Sequence, residues 1–444
     1  MVDISVVRAL AEELAGQVVA DRRDFHRYPE LGWSEFRTGS LVARRLTKAG
    51  WEVQLGRQVH DEAARMGVPS EDELAAEYER ALRQGADAEF IRALRGGYTG
   101  VVGSRRFGEG PTIGLRVDMD ALPIQEACSE EHRPYREGFV SQNPGIMHAC
   151  GHDAHTAIGL ALAEALPRLG ASLPGKVKLI FQPAEEGVRG ARSMVEAGIV
   201  DDVDLLLGIH VYTGWKLGEM IAGTGGYAAT RKFDVRFEGK AAHAGSNPQQ
   251  GRNALLAAAN AVLNLYAISR HAEGLTRVNV GRLEAGAGRN MTPAEAWFMA
   301  ETRGATTELN EYMYRRALEV IEGAAKMYGC GWSVREMGAA ESAMSDADLS
   351  ARIRRAAETL GGYTFLPLEP RGGSEDFTYM MRRVQARGGQ AAGIALGADP
   401  LGISRRDPDR ERVRGGHTSL FDIDEAVLPR AIELLLWLIC DLLG

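Results

Sequence analysis

Three short apolar segments rich in β-branched residues constrain the fold of this chain most strongly. They are PTIGLRVDMDALP (111–123), GKVKLIFQPAEEG (175–187) and VDLLLGIHVYTG (203–214), and each ends in turn residues. Continuous apolar runs of this length are typical of strands buried on both faces of a sheet. Patterns with a helical period lie between or beside them, at 155–170 and 190–200. The alternation predicts an α/β fold, in which helices flank a mostly parallel sheet on both faces.

The middle of the chain, from about Gly223 to Gly338, follows a different pattern. Its segments indicate the order strand, helix, strand, strand, helix, strand. This order predicts a small ferredoxin-like α+β domain. The α/β pattern resumes afterwards, so we expect a discontinuous catalytic domain at 1–222 and 339–444, interrupted by an inserted domain at 223–338.

A polar segment with helical character, residues 57–98, fits neither domain. Its composition is typical of a solvated helical insertion at the rim of the first domain. The same segment could instead contact a substrate pocket or a partner. The sequence favours the solvated insertion slightly, and both interpretations stay open.

Charge and cysteine usage exclude several classes of protein. The chain has 444 residues and a net charge of −8, and no run rich in lysine and arginine stands out, so nucleic acid is not an expected partner. No run approaches the roughly 18 apolar residues of a membrane span, and the N-terminal segment resembles an amphipathic helix rather than a signal peptide. The 4 cysteines are scattered, without the spacing of a disulfide framework. These features predict a cytoplasmic protein that binds neither nucleic acid nor membrane.

Ionisable side chains stand at the carboxyl ends of the predicted strands, where open α/β sheets bind ligands. They are Asp118 and Asp120 after the first strand, Glu185 and Glu186 after the second and His210 in the third, with Cys150 and His152 in the loop motif ACGHDAH and His417 in GGHTSLFDIDE. A single histidine of this kind is more often structural than a ligand. Thiolate, imidazole and carboxylate groups in combination suit Zn²⁺, and the harder ligands also accept Mn²⁺.

The adjacent glutamates follow an apolar strand directly. Neighbouring side chains diverge, so one carboxylate can bind a metal ion while the other moves protons. The sequence alone does not choose which glutamate has which role.

Six motifs occur in a fixed order along the chain: MHACGHDAHTA, FQPAEEG, HAGSNPQQGRNAL, GRNMTP, ETRGATTEL and GGSEDF. Together they resemble the metal-dependent M20 peptidase family, in its amidohydrolase branch of aminoacylases, hippurate hydrolases and indole-acetyl-amino-acid hydrolases. The resemblance extends over nearly the whole chain. It implies an α/β catalytic domain with an inserted ferredoxin-like α+β domain that serves as a lid and for dimerisation.

The resemblance implies a site for two divalent metal ions, Mn²⁺ or Zn²⁺, in each subunit. The implied ligands are Cys150 between the two ions, His152 and His210 as terminal ligands, Glu186, and His417 on the second ion. Glu185 would be the general base, and Asp120 and Asp153 would support the ligands from behind. A thiolate between two cations offsets their repulsion, which agrees with a cysteine at the shared position.

Three residues of the inserted domain also have implied roles. His243 would stabilise the oxyanion in the active site of a neighbouring subunit, because a donor aimed at developing charge lowers the barrier. Arg303 would bind the substrate carboxylate, with Asn290 assisting, since guanidinium and carboxylate are planar and can pair twice. We therefore expect a homodimer, or a heterodimer with a related subunit.

These features predict a metal-dependent amidohydrolase that cleaves the amide (C–N) bond of a small N-acyl amino acid. The favoured substrate is p-aminobenzoyl-glutamate, a folate breakdown product, which would yield p-aminobenzoate and glutamate. The alternatives are an aminoacylase, a hippurate-type hydrolase or a dipeptidase with another substrate. Cys150, Glu185 and His417 argue against a non-catalytic partner subunit. Glu185 and Arg303 would have no purpose in a structural metal protein.

Overall fold

The computed structural model describes residues 2–170, 173–368 and 373–444. Met1 in the N-terminal helical segment and Gly372 in the motif GGSEDF lie outside these ranges. The strands within them are β1 (Glu52–Leu55), β2 (Val101–Arg106), β3 (Thr112–Asp118), β4 (Lys176–Gln182), β5 (Leu205–Tyr212), β6 (Glu219–Ala222), β7 (Ala229–Glu238), β8 (Thr276–Ala285), β9 (Glu295–Gly304), β10 (Gly331–Ala340), β11 (Thr364–Phe365) and β12 (Gln390–Gly397). The α-helices are α1 (Ile4–Arg27), α2 (Phe36–Lys48), α3 (Glu71–Arg83), α4 (Arg133–Arg136), α5 (His152–Leu169), α6 (Ala191–Glu196), α7 (Ala254–Tyr266), α8 (Thr307–Met327), α9 (Ala347–Leu360), α10 (Phe377–Ala386) and α11 (Val427–Leu443). Within the described ranges, no helix is both long and apolar enough to cross a membrane.

The large sheet that the described residues form has the strand order β1-β2-β4-β3-β5-β12-β6-β11. Its centre is parallel, because β4, β3, β5 and β12 run side by side in one direction. Antiparallel pairs flank this centre at β1-β2, β2-β4 and β12-β6. The predicted α/β fold with a mostly parallel sheet is therefore confirmed, and the carboxyl ends of β3, β4 and β5 meet at one edge.

Helices cover both faces of this sheet, since successive side chains of a strand point to opposite faces. On one face, Val177, Leu179 and Phe181 of β4 share a core with residues of α1, α5 and α11. On the other face, Ile180 packs with residues of α6 and α10. The apolar strands are thus buried on both faces, as expected for a parallel sheet.

The middle of the chain forms a second, antiparallel sheet with the order β10-β7-β9-β8. One face of it, which includes Phe233 and Phe298, packs in a separate core with residues of α7 and α8. The chain passes through these elements in the order strand, helix, strand, strand, helix, strand.

We propose that residues 223–338 form a domain inserted between the segments 1–222 and 339–444. The strand before this segment, β6, pairs with β12 of the large sheet, whereas β7 pairs with β9 and β10. The last strand of the small sheet, β10, continues to Ala340.

Residues 57–98 contain α3, with short 3₁₀ turns before and after it. Ser70 and Glu73 form a capping box that starts this helix. Leu74 on the buried side of α3 packs with aromatic residues at the start of α2. Glu73 also borders a cavity that Glu186 lines. The segment is therefore packed on the catalytic domain and extends to the neighbourhood of the candidate site.

Candidate active site and metal centre

The turn that follows β4 is fixed by the carboxylate of Asp120, which lies just beyond β3. Asp120 accepts hydrogen bonds from the backbone N–H groups of Glu185 and Glu186, at 3.0 and 2.9 Å. The preceding residue, Ala184, has a φ of 51° and donates its N–H to Glu35 at 2.7 Å. A non-glycine residue in this conformation costs about 1 kcal/mol or more. Two buried carboxylates therefore hold a strained turn that places both glutamates at the sheet edge.

The loop before α5 requires a glycine at position 151. Gly151 has a φ of 96°, and a Cβ there would lie 2.6 Å from Cγ2 of Val211. This close approach packs the loop against the end of β5, with Cys150 and His152 on either side of the glycine. Nδ1 of His152 lies 2.8 Å from the backbone oxygen of Asp120, which fixes the orientation of the ring and leaves Nε2 for the site.

Two histidines meet at the carboxyl end of β5. His155 connects β3 to β5, because its Nδ1 lies 2.6 Å from Asp118 and its Nε2 accepts a backbone N–H of β5 at 2.9 Å. The His210 ring stacks on Tyr212 with centroids 4.4 Å apart, and its Nε2 lies 3.5 Å from the sulfur of Cys150. His155 is therefore occupied by structural contacts, whereas His210 presents a nitrogen to Cys150.

His417 reaches the site from the loop before α11. It has a φ of 63°, and its N–H donates to the backbone oxygen of Ala149 at 2.8 Å. This bond ties its loop to the one that carries Cys150. Nε2 of His417 lies 3.3 Å from Oε1 of Glu186, and this carboxylate raises the pKa of His417.

The candidate ligand atoms form two groups that share the Cys150 sulfur. Cys150, His152 and His210 form one group, and Cys150, Glu186 and His417 form the other; within each group the atoms lie within 4.8 Å of one another. Nε2 of His152 and Oε1 of Glu186 are buried and make no hydrogen bond to a described residue. Buried polar atoms of this kind are rare and call for a missing partner such as an ion. A donor set of thiol, imidazole and carboxylate groups fits divalent metal ions.

Glu185 lies beside these ligand groups in a different electrostatic environment. It is buried, and its Oε2 lies 4.0 Å from Nε2 of His152. Burial raises the pKa of Glu185 well above its ordinary value, and the carboxylates of Glu375 and Glu186 raise it further. A carboxylate with a raised pKa is a stronger base, which suits it to take a proton from water.

A buried arginine compensates for the acidic groups beneath the site. Arg116 lies within β3, is 2% exposed, and contacts Asp118 at 2.7 Å and Glu375 at 3.0 Å. Removing such a cation would leave buried charges without a partner. Arg116 is absent from the residues predicted from the sequence. The signal that could have identified it is a charged side chain inside the apolar strand TIGLRVD.

Most of the candidate residues line one cavity of about 820 Å³: Cys150, Glu185, Glu186, His210, His417 and Arg303. This volume lies within the range of small-molecule sites. Tyr212 and Trp215 form an aromatic part of the wall, with ring centroids 5.0 Å apart. Lys232 of β7 adds a second cation from the small sheet. The cavity therefore combines an aromatic surface, cations and metal ligands.

The inserted domain places its three predicted residues in two locations. Arg303 on β9 lines the cavity, and its Nε and Nη2 donate to Glu301 at 2.9 and 3.1 Å. His243 and Asn290 lie close together elsewhere, because His243 forms an antiparallel bridge with Met291. Both are exposed, and neither is among the described residues that line the cavity of their own chain.

Asp153, which we expected to support the ligands from behind, contacts other residues. Its Oδ2 accepts a hydrogen bond from Arg22 at 2.8 Å and lies 2.8 Å from Nδ1 of His26. The contact that orients His152 comes from Asp120 instead. The reason is helical geometry, since adjacent residues of α5 point in directions about 100° apart.

The sequence matches a known protein family over most of its length. Residues 114–436 match the Peptidase family M20/M25/M40, and the chain belongs to this family. It is 49% identical over 417 residues to one of the subunits of p-aminobenzoyl-glutamate hydrolase from Escherichia coli (strain K12), with 93% of each protein covered. It is 47% identical over 426 residues to an indole-3-acetyl-aspartic acid hydrolase of Enterobacter agglomerans, with 95% of each covered.

Solved structures of related proteins share the fold. The aminobenzoyl-glutamate utilization protein from Klebsiella pneumoniae matches with a TM-score of 0.82 and 41% identity, over 97% of each chain. The YXEP protein of Bacillus subtilis, a dinuclear metal-binding peptidase of the M20 family, matches with a TM-score of 0.66 and 25% identity, over 97% of this chain and 99% of that one. The M20 assignment and the hydrolase class predicted from the motifs are thereby confirmed.

Proposed function

We propose that this protein is a dinuclear metal-dependent amidohydrolase whose substrate is p-aminobenzoyl-glutamate, with p-aminobenzoate and glutamate as products. The observation that carries the proposal is the two ligand groups that share Cys150, with Glu185 beside them in one cavity. The names of the two bacterial relatives contain p-aminobenzoyl-glutamate and indole-3-acetyl-aspartic acid. In both compounds an amide joins an aromatic acyl group to an acidic amino acid, which supports this substrate class.

Two divalent ions, Mn²⁺ or Zn²⁺, would be held by Cys150 as the shared ligand together with His152, His210, Glu186 and His417. The dinuclear site of the Bacillus subtilis neighbour supports two ions. Burial and the charge of Glu186 raise the pKa of the Cys150 thiol to about 12, and divalent cations would supply the opposing charge that favours the thiolate. When bound, the ions would polarise the substrate carbonyl and lower the pKa of water.

Glu185 would act as the general base. Its carboxylate would take a proton from the attacking water and deliver it to the leaving nitrogen of the amide. The backbone bond from Glu185 to Asp120 fixes the position of this residue. Arg116 balances the acidic cluster around it through Glu375.

The cavity wall supports the assignment of the two ends of the substrate. Arg303 would bind the carboxylate of the amino acid, because its planar guanidinium matches a carboxylate. Tyr212 and Trp215 would contact the aromatic ring of the acyl group, since flat aromatic surfaces pack well on one another.

His243 and Asn290 would complete the site of a neighbouring subunit. Both are exposed and adjacent, and they lie outside the described lining of the cavity in their own chain. His243 would donate a hydrogen bond to the oxyanion, and Asn290 would assist in binding the substrate. A homodimer meets this requirement, and a heterodimer with a related subunit is the second arrangement, because the Escherichia coli relative is named as one of several subunits.

The described cysteines Cys128, Cys150, Cys330 and Cys440 are all free thiols, which supports the proposed cytoplasmic location.

A substrate panel tests the proposal. The purified chain, loaded with Mn²⁺ or Zn²⁺, is assayed on N-acyl amino acids in which the acyl group and the amino acid vary separately. We expect the highest kcat/KM for p-aminobenzoyl-glutamate. Activity that follows the acyl group and ignores glutamate would favour an aminoacylase or hippurate-type hydrolase. Absence of turnover with either metal would favour a subunit that needs a partner.

A further inference from the structure

The face of the small sheet that borders the candidate site carries two cations, Lys232 and Arg303. Lys232 on β7 pairs across the strands with Glu301 on β9, and Arg303 lies two residues further along β9. Residues two apart share a face, so all three side chains stand on the same side of the sheet. Both cations line the cavity that contains Glu185 and His417.

The two cations are in different states of pairing. The guanidinium of Arg303 makes two hydrogen bonds to Glu301, at 2.9 and 3.1 Å. The ammonium of Lys232 forms no hydrogen bond or ion pair with a described residue. Burial lowers the pKa of Lys232 and the charge of Arg303 adds to this effect, while Glu301 acts in the opposite direction.

A cation that is largely removed from water and lacks an acceptor is costly unless an anion completes its surroundings. Lys232 lines the cavity in which a substrate would sit, so the anion that meets it can come from the substrate. Diagonal neighbours on adjacent strands are roughly 7–8 Å apart, and both side chains are long and flexible. Lys232 and Arg303 can therefore reach two carboxylates of one small molecule, separated by a short carbon chain.

We propose that Lys232 and Arg303 form a two-point clamp for an N-acyl amino acid with an acidic side chain, in which Arg303 binds the α-carboxylate and Lys232 binds the side-chain carboxylate. This inference rests on the proposed amidohydrolase function and assigns the selectivity for a dicarboxylic amino acid to Lys232. Glu301 holds Arg303 in place between the two positions. Glutamate and aspartate fit the clamp, whereas glutamine and neutral amino acids leave Lys232 without an anion.

The test compares p-aminobenzoyl-glutamate with p-aminobenzoyl-glutamine, which has nearly the same shape and lacks the side-chain charge. The wild-type protein should prefer glutamate. Lys232→Met should lower kcat/KM for the glutamate substrate by about 10- to 100-fold, mainly through KM, because a charged hydrogen bond is lost. Its kcat/KM for the glutamine substrate should stay within about threefold of wild type. Lys232→Arg should retain the preference for glutamate.

Lys326→Met is the matched control, since Lys326 lies on α8 of the same inserted domain, is 73% exposed and pairs with Glu322. It should leave both substrates at wild-type rates. Metal content and Tm establish that Lys232→Met is folded. If that variant does not fold, product inhibition of the wild-type protein replaces it, and free glutamate should inhibit more strongly than free glutamine.

Equal losses on both substrates with Lys232→Met, or no loss on either, would overturn the clamp. A wild-type protein that hydrolyses both substrates equally well, or is inhibited equally by the two products, would also overturn it and leave the amidohydrolase function standing. A metal-loaded protein that hydrolyses no N-acyl amino acid would instead refute the proposed function itself.

Discussion

Glu185 and Glu186 are neighbours in the sequence, but the fold gives them different surroundings. Both backbone N–H groups are held by Asp120, so the two side chains diverge from a fixed turn. The carboxylate of Glu186 lies with Cys150 and His417 in one ligand group. Glu185 is buried, with carboxylates that raise its pKa. One residue is therefore placed to bind a metal ion and the other to move a proton.

This division predicts the behaviour of Glu185→Gln. The amide keeps the shape of the side chain but cannot take a proton, so kcat should fall roughly 100- to 10,000-fold. Metal content, measured by elemental analysis, should stay at the wild-type level. The control Glu186→Gln should lose metal as well as activity. Loss of metal from Glu185→Gln would mean that Glu185 is a ligand and that the assignment is reversed.

Residue types and their positions after predicted strands were enough to predict the candidates Cys150, Glu186 and His210, which the structure brings into the ligand groups. Lys232 could not be found in this way. It lies in an alternating strand whose polar face is usually solvated, and only the tertiary structure turns that face toward the cavity. The same limit applies to any residue whose role depends on a contact between domains.

At the scale of elements, α1 is tied to the catalytic domain by a buried ionic network. Arg22 contacts Asp153 at 2.8 Å and Asp422 at 3.0 Å. The ring of His26 lies between two carboxylates, with Nδ1 2.8 Å from Asp153 and Nε2 2.9 Å from Glu126. An imidazolium has a donor on each nitrogen and satisfies both carboxylates at once. The network therefore favours a protonated His26.

The stability of the protein should depend on pH through His26. Burial and the charge of Arg22 disfavour protonation, but hydrogen bonds to Asp153 and Glu126 raise the pKa of His26 from 6.5 to about 9. Because the folded-state pKa is the higher one, this stabilisation is present below pH 6.5 and is lost as the pH rises through about 9. In urea unfolding, the free energy of unfolding of wild type relative to His26→Gln should fall by on the order of 3 kcal/mol across this interval.

The control for this prediction is His271→Gln in the inserted domain, whose ring packs edge-on against Tyr312. It should keep the wild-type pH dependence. An unchanged pH dependence in His26→Gln would show that this histidine is not the group responsible.

Hydrophobic periodicity predicted the existence of the main elements but not their ends. The helical pattern at 155–170 corresponds to α5, which begins at His152 in the structure. The first turn of α5 is polar and follows Gly151, so it carries no apolar period that could mark it. The left-handed residues Ala184 and His417 were also beyond prediction, because their conformations depend on hydrogen bonds to distant residues.

At the scale of the whole molecule, the site of one chain is proposed to need His243 of its neighbour. Mixing His243→Ala with Glu185→Ala should therefore restore activity that neither variant has alone. Half of the randomly mixed dimers are hybrids, and each hybrid has one complete site, so activity should reach up to about one quarter of wild type. Steady-state assays after subunit exchange measure this recovery. No recovery, with hybrid dimers verified, would argue against a shared site.

The pattern of strands and helices was sufficient to predict a large α/β sheet and a small α+β sheet in the same chain, because each sheet has its own period and composition. The sequence could not predict that Arg303 lines the cavity while His243 lies apart from it. Both follow predicted strands of the same domain, and only the cross-strand register separates them.

The most direct test of the account is the metal content of the wild-type chain and of Cys150→Ala after loading with Mn²⁺ or Zn²⁺. If the sulfur of Cys150 joins the two ligand groups, the wild-type protein should retain about two ions per chain and the variant clearly fewer. A wild-type chain that retains no metal, or a Cys150→Ala chain that retains as much as wild type, would contradict the account.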